Sequence, residues 1–247
     1  MVILEVKNVT KSFGGVFALE DVSVEVEKHT CLGIIGPNGS GKTTLVNVIT
    51  GFLRPDKGKV FFKHVDITSL PPYRIATLGI GRTFQMTKPF YHLSAFKNLI
   101  VPLSSKRVKG LSHGALGDKD ALALDLLEEV GFERESSVPY KAASVLPHGY
   151  LKRLELARLF ALQAEVLILD ELFSGLSIAE VTSMVPIVEK LLEEGKTLIM
   201  VEHRLRELFR IAHKVVVLNF GRKIKEGTPK EIMEDEEVKK AYLGVEI

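Results

Sequence analysis

The chain has a single cysteine, Cys31, so neither a disulfide framework nor a zinc cluster can be built from its own residues. No apolar stretch is long enough to cross a bilayer. The N-terminal Met1–Lys7 alternates like a strand and lacks the charged-then-apolar layout of a signal peptide. These absences predict a cytosolic chain whose membrane connection comes through a partner. Glutamine occurs only at Gln85 and Gln163 while lysine and glutamate are abundant, a bias reported for hyperthermophiles. There is no internal repeat and no long basic block, and 33 Lys and Arg nearly balance 31 Asp and Glu, for a net charge of +2. That balance weakens a nucleic-acid reading. What remains is ordinary globular composition, 46% hydrophobic and 26% charged over 247 residues, enough for one large domain or for a core with a subdomain.

The most informative stretch is Gly36-Pro37-Asn38-Gly39-Ser40-Gly41-Lys42-Thr43, a phosphate-binding loop of the form G-x-x-x-x-G-K-[ST]. It follows the apolar run Cys31–Ile35 and opens the segment Thr43-Thr44-Leu45-Val46-Asn47-Val48-Ile49, so it lies between a strand and a helix, as the motif requires. The glycines let the backbone curl and turn its N–H groups inward. A triphosphate then sits at a helix N-terminus, where the helix dipole favours negative charge. Lys42 is placed to reach the β- and γ-phosphates and the Thr43 hydroxyl to bind Mg²⁺. The spacing predicts a nucleoside triphosphate site.

Strands are expected at Leu4–Val9, Val22–Val26, Gly58–Phe62 and Gly79–Gln85, with a helix after Pro71-Pro72. Residues 89–160 read as a helical subdomain inserted into an α/β core, with helices over Ala121–Val130 and Tyr150–Leu162 and a Gly/Ser-rich, basic connection near Ser104–Gly117. From Glu165 onward strands (Val166–Leu169, Thr197–Val201, Lys214–Leu218) alternate with helices (Ile178–Glu194, Arg204–Ala212), which predicts a largely parallel sheet. Thr228-Pro229 is expected to cap one final helix carrying Asp235/Lys239 and Glu236/Lys240 at i,i+4.

The strand Val166–Leu169 runs into Asp170-Glu171. Consecutive strand residues point to opposite faces, but at the strand's C-terminal end both reach a crevice above the sheet. Asp170 is expected to hold Mg²⁺ directly or through water, and Glu171 to orient and deprotonate an attacking water. An isolated pair of this kind is as readily a loop acid pair. The phosphate loop upstream is what gives it a role.

In order and spacing these residues resemble the ATP-binding cassette (ABC) ATPases over essentially the whole chain: the loop at 36–43, Gln85, a helical insert, a signature region at 146–150, Asp170-Glu171, Ser174-Gly175-Leu176-Ser177 and His203. The resemblance is nearest to ATP-binding subunits of branched-chain amino acid importers, through Arg82-Thr83-Phe84-Gln85, Arg153–Arg158 and the ending Ala241-Tyr242-Leu243-Gly244. Subunits of lipopolysaccharide export and urea import complexes look similar. The resemblance implies an α/β fold: a phosphate-loop nucleotidase core of mostly parallel sheet (1–88 and 161–247), an antiparallel N-terminal β subdomain, and the helical subdomain 89–160 carrying the signature. It implies an Mg-dependent ATPase at the cytoplasmic face of the membrane that energises transport through separate permease subunits. The alternatives are a weakly hydrolysing regulatory subunit and a non-transport cassette acting on nucleic acid, which usually carries a coiled-coil insertion or a second fused cassette.

By the same resemblance Gln85 completes the Mg²⁺ and water shell, His203 contacts the γ-phosphate and holds Glu171, and Phe13 stacks on adenine. The family signature reads Leu-Ser-Gly-Gly-Gln and contacts the ATP held by the opposite subunit. Here it reads Leu146-Pro147-His148-Gly149-Tyr150. Proline tolerates a first helical position but offers neither hydroxyl nor N–H to a phosphate. Leu172 and Ser177 replace a usual proline and aspartate. The asymmetry between an intact nucleotide half and a degenerate signature predicts a heterodimer with a second cassette. The alternative is neutral variation in a working homodimer.

Overall fold

The computed structural model describes residues 1–111 and 118–242. The chain opens with a long antiparallel pair, β1 (Val2–Phe13) and β2 (Val16–Glu27), and then enters β3 (Cys31–Ile35), the glycine-rich loop and α1 (Lys42–Ile49). After β4 (Lys57–Phe62) and β5 (Val65–Asp66) come α2 (Pro72–Leu78) and β6 (Ile80–Arg82). The helical segment holds α3 (Ala95–Leu103), α4 (Lys106–Leu111), α5 (Lys119–Glu129) and α6 (His148–Ala161). Alternation then resumes with β7 (Val166–Asp170), α7 (Ile178–Glu193), β8 (Thr197–Val201), α8 (Leu205–Ile211) and β9 (Lys214–Asn219). Last come β10 (Arg222–Gly227), α9 (Pro229–Glu234) and α10 (Glu236–Tyr242).

The strands form two sheets. One has the order β10-β9-β3-β8-β7-β6 and is parallel except for the edge strand β10; the other, β2-β1-β4-β5, is antiparallel. This is the α/β architecture expected, including the antiparallel N-terminal sheet. Strands β3, β7 and β8 are buried at every position, which explains why they read as unbroken apolar runs rather than as alternating ones. Their residues serve two cores in turn. Leu32, Ile34, Ile168, Ile199 and Val201 face α1 and the antiparallel sheet, while Ile35, Leu167, Leu169, Leu198 and Met200 face α3, α5, α6 and α7. The helical segment therefore shares one continuous core with a face of the parallel sheet.

The structure differs from the expectations in three places. The connection near Ser104–Gly117 contains helix α4, because Arg107 is buried and donates to the carbonyls of Thr77, Leu78 and Gln163, an anchorage that periodicity does not report. Residues 112–117 of that connection lie outside the described residues. The single C-terminal helix is two. Asp235 leaves the helical conformation, its carboxylate accepts the N–H groups of Glu237 and Val238 at the start of α10 and pairs with Lys225 at 2.7 Å, while Lys239 pairs with Glu236. Residues 243–247, part of the expected ending, also lie outside the described residues. Finally, β10 was not expected, since Arg222-Lys223-Ile224-Lys225-Glu226 is too polar to read as a strand. It pairs with β9 as a charged edge, which discourages further strand addition.

Candidate nucleotide site

The parallel register brings the C-terminal ends of β3, β7 and β8 to one edge, with Ile34 beside Val201 and Val201 beside Asp170. The loop after β3 curls over that edge. Its tightness needs glycine at two positions: a Cβ on Gly36 would lie 2.2 Å from the Leu218 carbonyl oxygen, and one on Gly41 (φ +105) 2.4 Å from that of Ala18. Helix α1 begins directly after Gly41 with no side-chain cap and no acidic residue in its first turn, so its N-terminal N–H groups face the loop's interior. The Ser40 hydroxyl is buried and has no hydrogen-bond partner among the described residues. A buried hydroxyl left unpaired, an uncapped helix start and a cradle that a Cβ would fill together suit an anion.

Lys42 lies almost fully buried, and its ammonium donates to the carbonyls of Gly36 (2.7 Å) and Pro37 (3.0 Å). Burial lowers its pKa, while Glu171 and Asp170 work to keep it charged. The cation is thus parked within the loop and satisfied there by neutral acceptors, which an anionic oxygen outcompetes.

A cleft of about 270 Å³ gathers Asn38, Gly39, Ser40, Gly41, Lys42, Thr43, Thr44, Gln85, Glu171 and His203, with Ala18 at its wall. Glu171 holds a left-handed backbone (φ +49), and its N–H donates to the Val201 carbonyl at 2.8 Å. Such a conformation in a non-glycine residue costs on the order of 1–3 kcal/mol and persists where the surroundings enforce it. It points the carboxylate into the cleft, where Oε1 lies 3.1 Å from His203 Nε2.

Asp170, Phe13 and part of the signature region are held otherwise. The Asp170 carboxylate is 4% exposed and accepts from Arg82 Nη2 at 2.7 Å, so it turns away from the cleft lining toward the guanidinium. Phe13 is half-exposed on the β1–β2 hairpin under the Lys11 ammonium (5.5 Å) and does not line the cleft. In the signature region only Pro147 and His148 are exposed. Leu146 and Gly149 are buried, and the Tyr150 ring packs edge-on against Phe132 at 4.9 Å between centroids, inside the helical segment rather than outward. Pro147 is the residue before the helix, not its first residue, and His148 begins α6 with its ring beside Gly175. Ser177 caps α7 in a reciprocal pair with Glu180, and Leu172 is fully buried.

Residues that sequence reading left without a role complete the surroundings. Arg82 also donates to Asn47 Oδ1 (2.6 Å) and Thr50 Oγ1 (3.3 Å) on α1, binding the acid strand to the helix after the loop. Thr83 Oγ1 accepts the Asp170 N–H at 3.0 Å. Glu202, nearly buried, accepts the Phe173 N–H at 3.0 Å. Burial, reinforced by the nearby Glu171 and Asp170 charges, pushes its pKa from 4.5 up to about 7.

The unfolded chain therefore releases the Glu202 proton near the ordinary value, while the folded chain keeps it to about 7. The stability this group contributes is present below pH 4.5 and is lost as pH rises through about 7. The loss is about 3 kcal/mol at most. Urea unfolding midpoints measured from pH 5 to 8 are expected to fall for the unsubstituted chain and to fall less for Glu202→Gln, which keeps the acceptor for Phe173. Parallel profiles for the two would contradict this.

The fold and this site define a phosphate-loop nucleotide-binding protein. Residues 19–174 match the ABC transporter family and residues 222–247 the family of branched-chain amino acid ATP-binding cassette transporters, and the chain belongs to the ABC transporter ATP-binding proteins. It is 34% identical over 98% of both chains to the high-affinity branched-chain amino acid transport ATP-binding protein BraF of Pseudomonas aeruginosa. It is 32% identical over 99% of this chain and 98% of the other to the lipopolysaccharide export system ATP-binding protein LptB of Haemophilus influenzae. A crystal structure of the ADP conformation of an ATP-binding cassette of an ABC transporter superposes with a TM-score of 0.83 at 32% identity, covering 99% of both chains. The chain is accordingly an ATPase of this family, similar to branched-chain amino acid transport ATP-binding proteins. Among the described residues no helix is long and apolar enough to cross a membrane.

Proposed function

We propose that the chain is the ATP-hydrolysing subunit of an importer for branched-chain amino acids or a similar small polar solute, acting at the cytoplasmic face of a membrane through separate permease subunits. The observation that carries the hydrolytic part is Glu171, held in the cleft with the phosphate loop by a left-handed backbone and by His203. The loop N–H groups and Lys42 bind the phosphates. Glu171 accepts the proton of the attacking water at its carboxylate, and His203 Nε2 fixes Oε1 so that the free oxygen faces that water. Thr43 and Gln85, with Asp170 acting through water or after release from Arg82, supply hard oxygen donors that suit Mg²⁺. When bound, Mg²⁺ would supply charge neutralisation at the phosphates. Phe13 is the residue we assign to the adenine ring.

The cargo reading is supported by the match over 222–247 and by relatives at 32–34% identity named for branched-chain amino acid transport. An open, mostly apolar cleft of about 320 Å³, lined by Phe52, Tyr73, Phe84, Pro102 and Arg158, adjoins the loop carrying Gln85, and we assign it to the permease. Proteoliposomes carrying the chain with the membrane subunits it copurifies with are expected to accumulate leucine only with ATP, and not with Glu171→Gln. ATP consumption coupled to lipid extraction, with no leucine movement, would overturn the cargo reading.

We also propose pairing with a second cassette. Pro147 and His148 are the exposed signature residues, and Pro147 lacks the hydroxyl and N–H that would meet a partner's phosphate. A lost hydrogen bond to a charged oxygen costs about 1.5–3 kcal/mol, roughly 10–100-fold in rate.

A further inference from the structure

One buried cation has no place in the mechanism above. Lys152 lies on α6, little more than a turn from exposed Pro147 and His148, and is 0% exposed. Among the described residues it forms no ion pair within 4.0 Å. Its ammonium donates instead to two main-chain carbonyls, those of Gln85 and Glu171, each at 3.1 Å. These residues lie far apart in sequence, and both line the cleft from outside the phosphate loop. Burial lowers the ammonium's pKa, and Glu155, Glu202, Glu171 and Asp170 nearby oppose that shift.

We infer that Lys152 is a positioning residue for hydrolysis: one ammonium clamps the backbone of Gln85 and Glu171 together and ties both to the helix that begins at the exposed signature. The physical reason is directional. A carbonyl that accepts from Lys152 is fixed in orientation, and with φ of Glu171 already left-handed, the carbonyl direction and the side-chain direction are set together. A charge-assisted donor serves this role better than a neutral one, because it holds two carbonyls at once in a dry interior. A shift of α6 on contact with a partner then moves both cleft residues as a pair. The inference rests on the reading that Glu171 and Gln85 act on the nucleotide.

The test compares Lys152→Met, which keeps length and loses the donors, with Lys152→Arg, which keeps charge and donors. Steady-state ATP turnover and fluorescent-ATP binding are measured on the full chain, with Glu171→Gln as reference. Lys152→Met is expected to lower kcat roughly 10- to 100-fold while KM and ATP affinity stay within about twofold, the pattern of lost geometry rather than lost binding. Lys152→Arg is expected to restore most of the rate. Unchanged kcat in Lys152→Met with an inactive Glu171→Gln overturns the inference alone, and active Glu171→Gln overturns the underlying reading and this inference with it. If Lys152→Met does not fold, Lys152→Arg decides: near-normal kcat and KM support the clamp, and a parallel loss of kcat and ATP binding overturns it.

Discussion

Glu171→Gln is expected to leave ATP bound and to stop its turnover. The amide keeps the size of the carboxylate and still meets His203 Nε2 with its carbonyl oxygen, so the cleft geometry of the 3.1 Å contact survives. What disappears is the acceptor for the proton of the attacking water. General-base assistance contributes typically 10²–10⁴-fold, so kcat is expected to fall by at least about 100-fold with KM nearly unchanged. Phosphate release over a range of ATP concentrations, together with a nucleotide-binding titration, checks both halves. A variant that hydrolyses ATP within tenfold of the unsubstituted chain would remove Glu171 from the role of base. His203→Ala is a milder change, since it frees Oε1 without removing it.

The second large effect belongs to stability. Arg82→Ala removes the guanidinium from the Asp170 carboxylate, a group 4% exposed with no other ion pair among the described residues, and Asn47 and Thr50 lose a donor as well. Breaking a buried pair from one side costs about 3–5 kcal/mol, because the remaining charge is stranded in a poorly solvating interior. An exposed pair such as Arg210–Glu189, whose arginine side chain is 62% exposed, contributes far less by comparison, because water screens it. Urea denaturation is expected to separate these two deletions clearly. The double variant Arg82→Met, Asp170→Asn should recover part of the loss, since no charge is left buried. A change below about 1 kcal/mol in Arg82→Ala would mean that the Asp170 site is wetter than its burial implies. Because Arg82 sits between α1 and β7, the same variant is expected to weaken nucleotide binding as well.

Much of this architecture was legible because its signals are local. The buried strands β3, β7 and β8 announce themselves as apolar runs too short for helices, and the glycine-rich loop has a steric reason at each end. The pairing of His203 with Glu171 was legible only through family resemblance, since a histidine after a strand has many ordinary uses. Long-range electrostatics escaped altogether. Arg82 and Asp170 are 88 residues apart, and nothing in either neighbourhood names the other. Lys152 and Glu155 on α6 follow no periodicity that would bury them, because a helical pattern assigns charge to the solvent face. Tyr150 occupies a position that resemblance reads as nucleotide-facing, yet the nearby Phe132 offers its ring an aromatic partner inside the helical segment. The break at Asp235 had the same cause on a smaller scale: an i,i+4 count cannot weigh a tertiary lysine against a helical one.

The central claim, that an intact nucleotide half beside a degenerate signature needs a second chain's signature to hydrolyse ATP, is tested most directly by mixing two forms of the chain. One is unsubstituted. The other carries Pro147→Ser and His148→Gly, two exposed positions whose change spares the packing of Tyr150, together with Glu171→Gln so that it contributes a signature but no hydrolysis of its own. The account predicts weak ATP turnover by either form alone and a rise of roughly 10- to 100-fold, per unsubstituted chain, when they are mixed. Turnover that is already high in the unsubstituted chain alone, and no higher in the mixture, would contradict it and point to a homodimer in which Pro147 and His148 serve as they stand.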